Sequence, residues 1–116
     1  MQKLYYVLDL KDDAASIERY RAWHAPGAVP AAINWSMRDF GVAELEIFLA
    51  GNRMVMVLTP GDDFDAEKKA AADAVNPEVQ KWERLMWQFQ QALPFARPGE
   101  KWLAMERIYA LSDQPA

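Results

Sequence analysis

Residues 43–58 read AELEIFLAGNRMVMVL. Two strand-forming runs, 43–49 and 53–58, flank Ala50, Gly51 and Asn52, a connection rich in turn residues that predicts a β-hairpin. The Pro60-Gly61 pair that follows ends the second strand, because proline cannot donate to a ladder.

On the N-terminal side of this hairpin, residues 3–10 alternate, with Leu4, Tyr6, Leu8 and Leu10 on one face and Tyr5, Val7 and Asp9 on the other. Such alternation with apolar groups on both sides predicts a strand at least partly buried on each face. Asp12 or Asp13 then offers an N-cap, and Ile17, Tyr20 and His24 follow helical spacing until Pro26, Gly27 and Pro30 interrupt. Pro30 suits the first turn of a second helix that carries Ile33, Met37 and Phe40 inward and closes at Gly41. Beyond the hairpin a helix is expected over roughly 62–74, and another from Asn76-Pro77, where Asn caps and Pro takes the first helical position. Its apolar stripe is Val79, Trp82, Met86, Phe89 and Leu93. After the turn-rich Pro94–Gly99, residues 101–111 (KWLAMERIYAL) predict a last strand, with a frayed tail from Ser112.

The order strand, helices, hairpin, helices, strand, without repeat or linker, defines one α+β domain over residues 1–116 with an antiparallel sheet. A four-stranded sheet covered by helices on one face is the ferredoxin-like arrangement. Tyr5, Val7, Phe48, Val55 and Val57 cannot all share the helix side with their alternating neighbours, so the other face is apolar as well. A second copy of the chain is the simplest cover, which predicts a sheet-to-sheet homodimer.

Composition narrows the function. An apolar fraction of 52% with five tryptophans argues against disorder, and no apolar run approaches the roughly 20 residues of a membrane helix. The N-terminus reads directly as a strand rather than a signal peptide, so export is not expected. With no cysteine there is no thiol nucleophile, disulfide or thiolate ligand. A net charge of −4 without any basic run argues against a phosphate-neutralising groove for nucleic acid, so a neutral small molecule fits better as partner.

The candidate chemistry centres on the single histidine. His24 lies four residues after Tyr20, on the same helical face, just before a proline break that ends the element, so the imidazole can face a cleft. Histidine exchanges protons near neutrality, which suits general acid–base work, although a lone histidine is more often structural. Asp9, Glu44, Glu46 and Glu106 fall in predicted strands. Facing one cavity they would make it polar and suited to hydroxyl-rich ligands; otherwise each faces solvent or pairs with Arg53, Arg107 or Lys101. No metal-ligand spacing such as HExxH is present. Among the aromatics, Trp82 is core by its helical stripe, yet a tryptophan face also stacks on the apolar side of a pyranose.

Tyr20-x-x-x-His24-x-Pro26, the segment Gly41–Leu49, the strand Asn52–Leu58 and the helix from Val79-Gln80-Lys81-Trp82 through Met86 together resemble the L-rhamnose mutarotase family. The resemblance runs from about Tyr5 to Leu111. It implies a small cytoplasmic homodimer on a dimeric α/β-barrel fold that interconverts the α and β anomers of a 6-deoxy-L-hexose without cofactor or metal. It further implies that His24 is catalytic and that Tyr20 and Trp82 bind substrate; Glu44 and Asp9 are the strand carboxylates expected to join them. The L-rhamnose enzymes place a tyrosine where this chain has Leu45 and an asparagine where it has Glu44. The segments HAPGAVP, ELEI and PGEKW are instead similar to members associated with L-fucose, so L-fucose is expected ahead of L-rhamnose. Two alternatives fit the same fold: a haem-binding or cofactor-free monooxygenase using His24 as ligand or base, and a non-catalytic sugar-binding module.

Overall fold

The structure is a computed structural model that describes residues 2–116. Its elements are β1 (Leu4–Leu10), α1 (Ala14–Trp23), α2 (Ala31–Arg38), β2 (Val42–Ala50), β3 (Arg53–Pro60), α3 (Ala66–Val75), α4 (Pro77–Trp87), β4 (Gln90–Gln91) and β5 (Leu103–Ala104). A single 3-10 turn, Leu111–Asp113, closes the described chain, at the place where fraying was expected.

The hairpin forms as its sequence predicts. Ala50 pairs with Arg53, so the loop is Gly51-Asn52, with Gly51 at a φ of 61°. Asn52 also ties the hairpin to β1: its side-chain amide donates to the Leu10 carbonyl at 3.0 Å, and its own carbonyl accepts from the Leu10 N–H at 2.7 Å. β1 therefore lies antiparallel against β3, in the register Leu4↔Leu58 to Asp9↔Arg53, giving the order β2-β3-β1. Two short strands share the other edge of β1, β4 opposite Asp9 and Leu10, and β5 opposite Tyr6 and Val7.

Helix boundaries follow their caps. The Asp13 carboxylate accepts from the Ser16 N–H, and Asp65 accepts from Glu67 and Lys68, which starts α3 four residues later than the expected boundary near 62. Asn76 Oδ1 accepts from the Glu78 and Val79 N–H groups, with Pro77 behind it as the first helical residue. Replacing Asn76 with alanine orphans those donors and is expected to cost about 1 kcal/mol, read as a lower denaturation midpoint. Gly41, at a φ of 87°, turns the chain from α2 into β2. A side chain there would meet the Phe64 backbone at 2.9 Å.

The core lies between the sheet and the helices on one of its faces: Leu8, Leu10 and Met54 from the sheet against Tyr20, Met86 and Phe89, with Ile17, Ile47, Trp82, Leu85 and Trp102 packed around them. The opposite face stays open. There the register sets Tyr5 beside Val57 and Val7 between Val55 and, through it, Phe48, with Tyr5 and Phe48 exposed.

The expected last strand is much shorter than 101–111. Leu103 and Ala104 pair with β1 and the Met105 N–H still reaches the Tyr5 carbonyl at 2.8 Å, but residues 106–110 are outside any strand. In this register Arg107 would lie opposite Lys3 and Ile108 opposite Gln2, where β1 has already run out. The sequence of the segment favours a strand; the chain offers it nothing to pair with.

Candidate active site

Proline at position 26 disfavours helical backbone at Ala25, so α1 stops at Trp23 and His24 becomes its C-cap. There the imidazole folds back, and its Nδ1 lies 2.7 Å from the Tyr20 carbonyl oxygen. A carbonyl can only accept, so Nδ1 carries the proton and Nε2 keeps its lone pair. Burial depresses the His24 pKa below the ordinary 6.5, partly offset by that hydrogen bond, and the ring is neutral at pH 7. The ring is gripped by aromatics, with centroids 4.3 Å from Tyr20 and 5.6 Å from Trp82.

Tyr20 is buried, and its hydroxyl oxygen accepts from Gln90 Nε2 at 3.1 Å. With that lone pair engaged, the phenol O–H remains available as a donor. Burial raises its pKa, so it stays protonated throughout the neutral range. Trp82 stands edge-on to Trp23 at 6.0 Å and is only partly buried, which leaves ring surface free.

Tyr20, His24, Trp82, Glu44 and Gln90 border one cavity of about 630 Å³ between the sheet and α2, α3 and α4. A cavity of this size with apolar walls and a few convergent polar groups suits a small organic ligand. Tyr20, His24 and Trp82, three of the five residues singled out from sequence, meet there on the helix side of the sheet. Glu44 touches the cavity only at its rim: the register Glu44↔Thr59 sets it on the same sheet face as Phe48, exposed, with Oε1 accepting from the Leu45 N–H. Asp9 does not join them. It lies on the open face of the sheet, and both its oxygens are taken by Arg53, at 2.8 Å from Nε and 3.1 Å from Nη2. The cross-strand register puts the two residues opposite each other, so the carboxylate is engaged in a bidentate ion pair, away from the cavity.

Gln90, Lys69 and Asp73 also border the cavity and were not foreseen. Gln90 sits in the two-residue β4, within the span of the expected helical stripe Val79–Leu93, because α4 ends at Trp87 and the chain turns into a strand there. Among the described residues no three His, Asp or Glu side chains are placed to share a metal ion, and no helix is long and apolar enough to cross a membrane.

The antiparallel sheet with helices on one face and an uncovered second face places the chain among ferredoxin-like α+β proteins of the dimeric α/β-barrel type. Two solved structures share this fold. An L-rhamnose mutarotase from Formosa agariphila matches with a TM-score of 0.64 at 21% identity, over 96% of this chain and 99% of that one. Tetracenomycin F2 cyclase, a type-II polyketide cyclase from Streptomyces glaucescens, matches at 0.62 and 18%, over 95% and 96%.

The family described as L-rhamnose mutarotase matches residues 3–111, and the chain belongs to it. Among its relatives, the L-fucose mutarotase of Xanthomonas campestris pv. campestris is 54% identical over 113 residues, covering 97% of this chain and 90% of the relative. The chain is therefore an enzyme of the isomerase class, and the monooxygenase and non-catalytic readings give way to that assignment.

Proposed function

We propose that this protein interconverts the α and β anomers of a 6-deoxy-L-hexose, with L-fucose preferred over L-rhamnose and His24 as the proton shuttle. The observation that carries this reading is the His24 ring, bordering the cavity with its Nδ1 held by the Tyr20 carbonyl, its pKa lowered by burial, and no hydrogen-bond partner for Nε2 among the described residues. Nε2 takes the proton from the anomeric hydroxyl; the C1–O1 bond becomes a carbonyl as the C1–O5 bond breaks, and the imidazolium returns the same proton to O5. C1 then turns about the C1–C2 bond and the ring closes on its other face by the reverse steps. Both transfers use one nitrogen, because O1 and O5 are attached to the same carbon. The Tyr20 phenol donates to the oxygen that bears negative charge, and Trp82 supplies a face for the sugar's apolar side.

The L-fucose preference is supported by the 54% identical relative of that name and by Leu45 and Glu44, which stand where the L-rhamnose enzymes carry tyrosine and asparagine. Exchange NMR on equilibrated L-fucose and L-rhamnose tests the reading directly, by following magnetisation transfer between α and β anomeric protons. Faster transfer with L-fucose is the expected result, and no acceleration for either sugar rejects the proposal.

The same reading includes a cytoplasmic homodimer joined through the open face of the sheet. Its support is the exposure of Tyr5 and Phe48 at 47% and 55%, beside Val7 and Val55, on a face that no helix covers. A patch of this kind on a monomer is a liability that a second copy removes. Phe48→Glu is expected to convert a dimer into a monomer in light scattering coupled to gel filtration. A wild-type monomer, or a variant that stays dimeric, argues against this interface.

A further inference from the structure

We propose that Lys69 and Asp73 form a specificity pair that holds the sugar hydroxyls away from the anomeric carbon and so selects which 6-deoxy-L-hexose is turned over. This inference rests on the mutarotase reading above and adds the contact that discriminates between substrates.

The two residues are one turn apart on α3, with Nζ 2.7 Å from Oδ2. Pairs at this spacing on a helix surface are usually solvated and contribute little. This one is turned inward. The side chains are only 16% and 22% exposed, and both border the cavity that holds His24 and Trp82. α3 has no fully buried residue of its own, so packing does not explain why its one ion pair is withdrawn from water.

The pair is also incomplete. Asp73 Oδ1 is buried and has no hydrogen-bond donor among the described residues. Removing a carboxylate oxygen from water without a donor is costly, and an ion pair kept for stability alone is normally saturated with hydrogen bonds. The ammonium of Lys69 spends one of its three donors on Oδ2. What remains is a cation that can donate to one oxygen beside a carboxylate that can accept from another O–H. Adjacent hydroxyls on a neutral ring satisfy both at once; an anion would be repelled by Asp73 and a cation by Lys69.

The position fits the chemistry of discrimination. L-fucose and L-rhamnose share the reacting C1 and ring oxygen and differ in configuration at C2 and C4. The C2 difference adjoins the reacting carbon, whereas the C4 difference lies across the ring, where a group away from the proton shuttle can read it. His24 comes from α1 and the pair from α3, on one cavity. A ring with C1 and O5 at His24 turns its C3 and C4 hydroxyls elsewhere, and the Lys69–Asp73 pair, withdrawn from water on another element of the same cavity, offers them a donor and an acceptor together.

The test is the anomer-exchange measurement with the intact protein, Asp73→Asn and Lys69→Met, over a range of L-fucose and of L-rhamnose. Asp73→Asn keeps the shape and removes the charge. Each variant is expected to lower kcat/KM for the preferred sugar about tenfold or more through KM, with a smaller change for the other sugar, so that the preference collapses. Thermal melts of both variants identify one that fails to fold, and the other then decides. Equal losses for both sugars, or an unchanged preference with only a lower melting temperature, make the pair structural and overturn the proposal. If the wild type accelerates neither sugar, the mutarotase reading fails and takes this inference with it. Wild-type acceleration with an unchanged preference in the variants overturns this inference alone.

Discussion

His24→Ala is expected to reduce enzyme-dependent anomer exchange on the order of a hundred- to ten-thousand-fold, the contribution of a positioned proton shuttle. The fold should survive, because His24 is a half-buried C-cap whose side chain bonds only to a carbonyl one turn back. Wild-type turnover in the variant would remove His24 from the mechanism. The wild-type pH profile adds a second check. Desolvation pulls the His24 pKa below 6.5, so the base form persists into mildly acidic solution, and kcat/KM should fall only as pH drops through that lowered value.

The same shift has a thermodynamic consequence of known sign. Between the lowered folded-state pKa and the unfolded value of about 6.5, the unfolded chain binds a proton at His24 that the folded chain refuses. Stability therefore rises with pH across that window and is fully present above it. His24→Ala should flatten this part of the stability profile. An unaltered profile would mean that the ring is better solvated than its packing against Tyr20 and Trp82 implies.

Leu8→Ala should have the largest effect on stability. Leu8 has no exposed surface and sits in the middle of β1, packed within the cluster of Leu10, Tyr20, Met54, Met86 and Phe89. Truncation there removes buried methyl groups and leaves a cavity that a central strand, paired on both edges, cannot collapse to fill. A loss of about 2–5 kcal/mol is expected. Set against the roughly 5–15 kcal/mol of a typical domain, that is a large share of the total. Urea denaturation at one fixed protomer concentration should show a lower midpoint with an unchanged slope, since association would otherwise shift the apparent stability. A loss below about 1 kcal/mol would place the core elsewhere.

Tyr20 and His24 show what local sequence can reveal about a site. Their spacing puts them on one helical face, the following Pro26 ends the helix, and the structure joins their rings at 4.3 Å. Asp9 shows the opposite case. Nothing local distinguishes a strand carboxylate that meets a ligand from one that meets Arg53, because Arg53 is 44 residues away and reaches Asp9 only through the β1–β3 register. Of the two readings open for Asp9, the ion pair is the one realised.

The elements themselves were legible for a physical reason: the periods of strand and helix, the caps at Asp13 and Asn76, and the turns at Gly51 and Gly41 act over a few residues. The missing length of the last strand was not legible, because pairing needs a partner and β1 ends before residues 107–110 can use it. Gln90 bonds to Tyr20 across 70 residues, and Lys69 and Asp73 reach the cavity only because α3 packs against α4 and α2. Sequence by itself determined most of the elements, their order, the uncovered apolar face and the histidine at the end of α1 as the candidate centre. Chain reversal and sheet register, which bring distant segments together, decided which polar groups surround that histidine and which are tied up elsewhere.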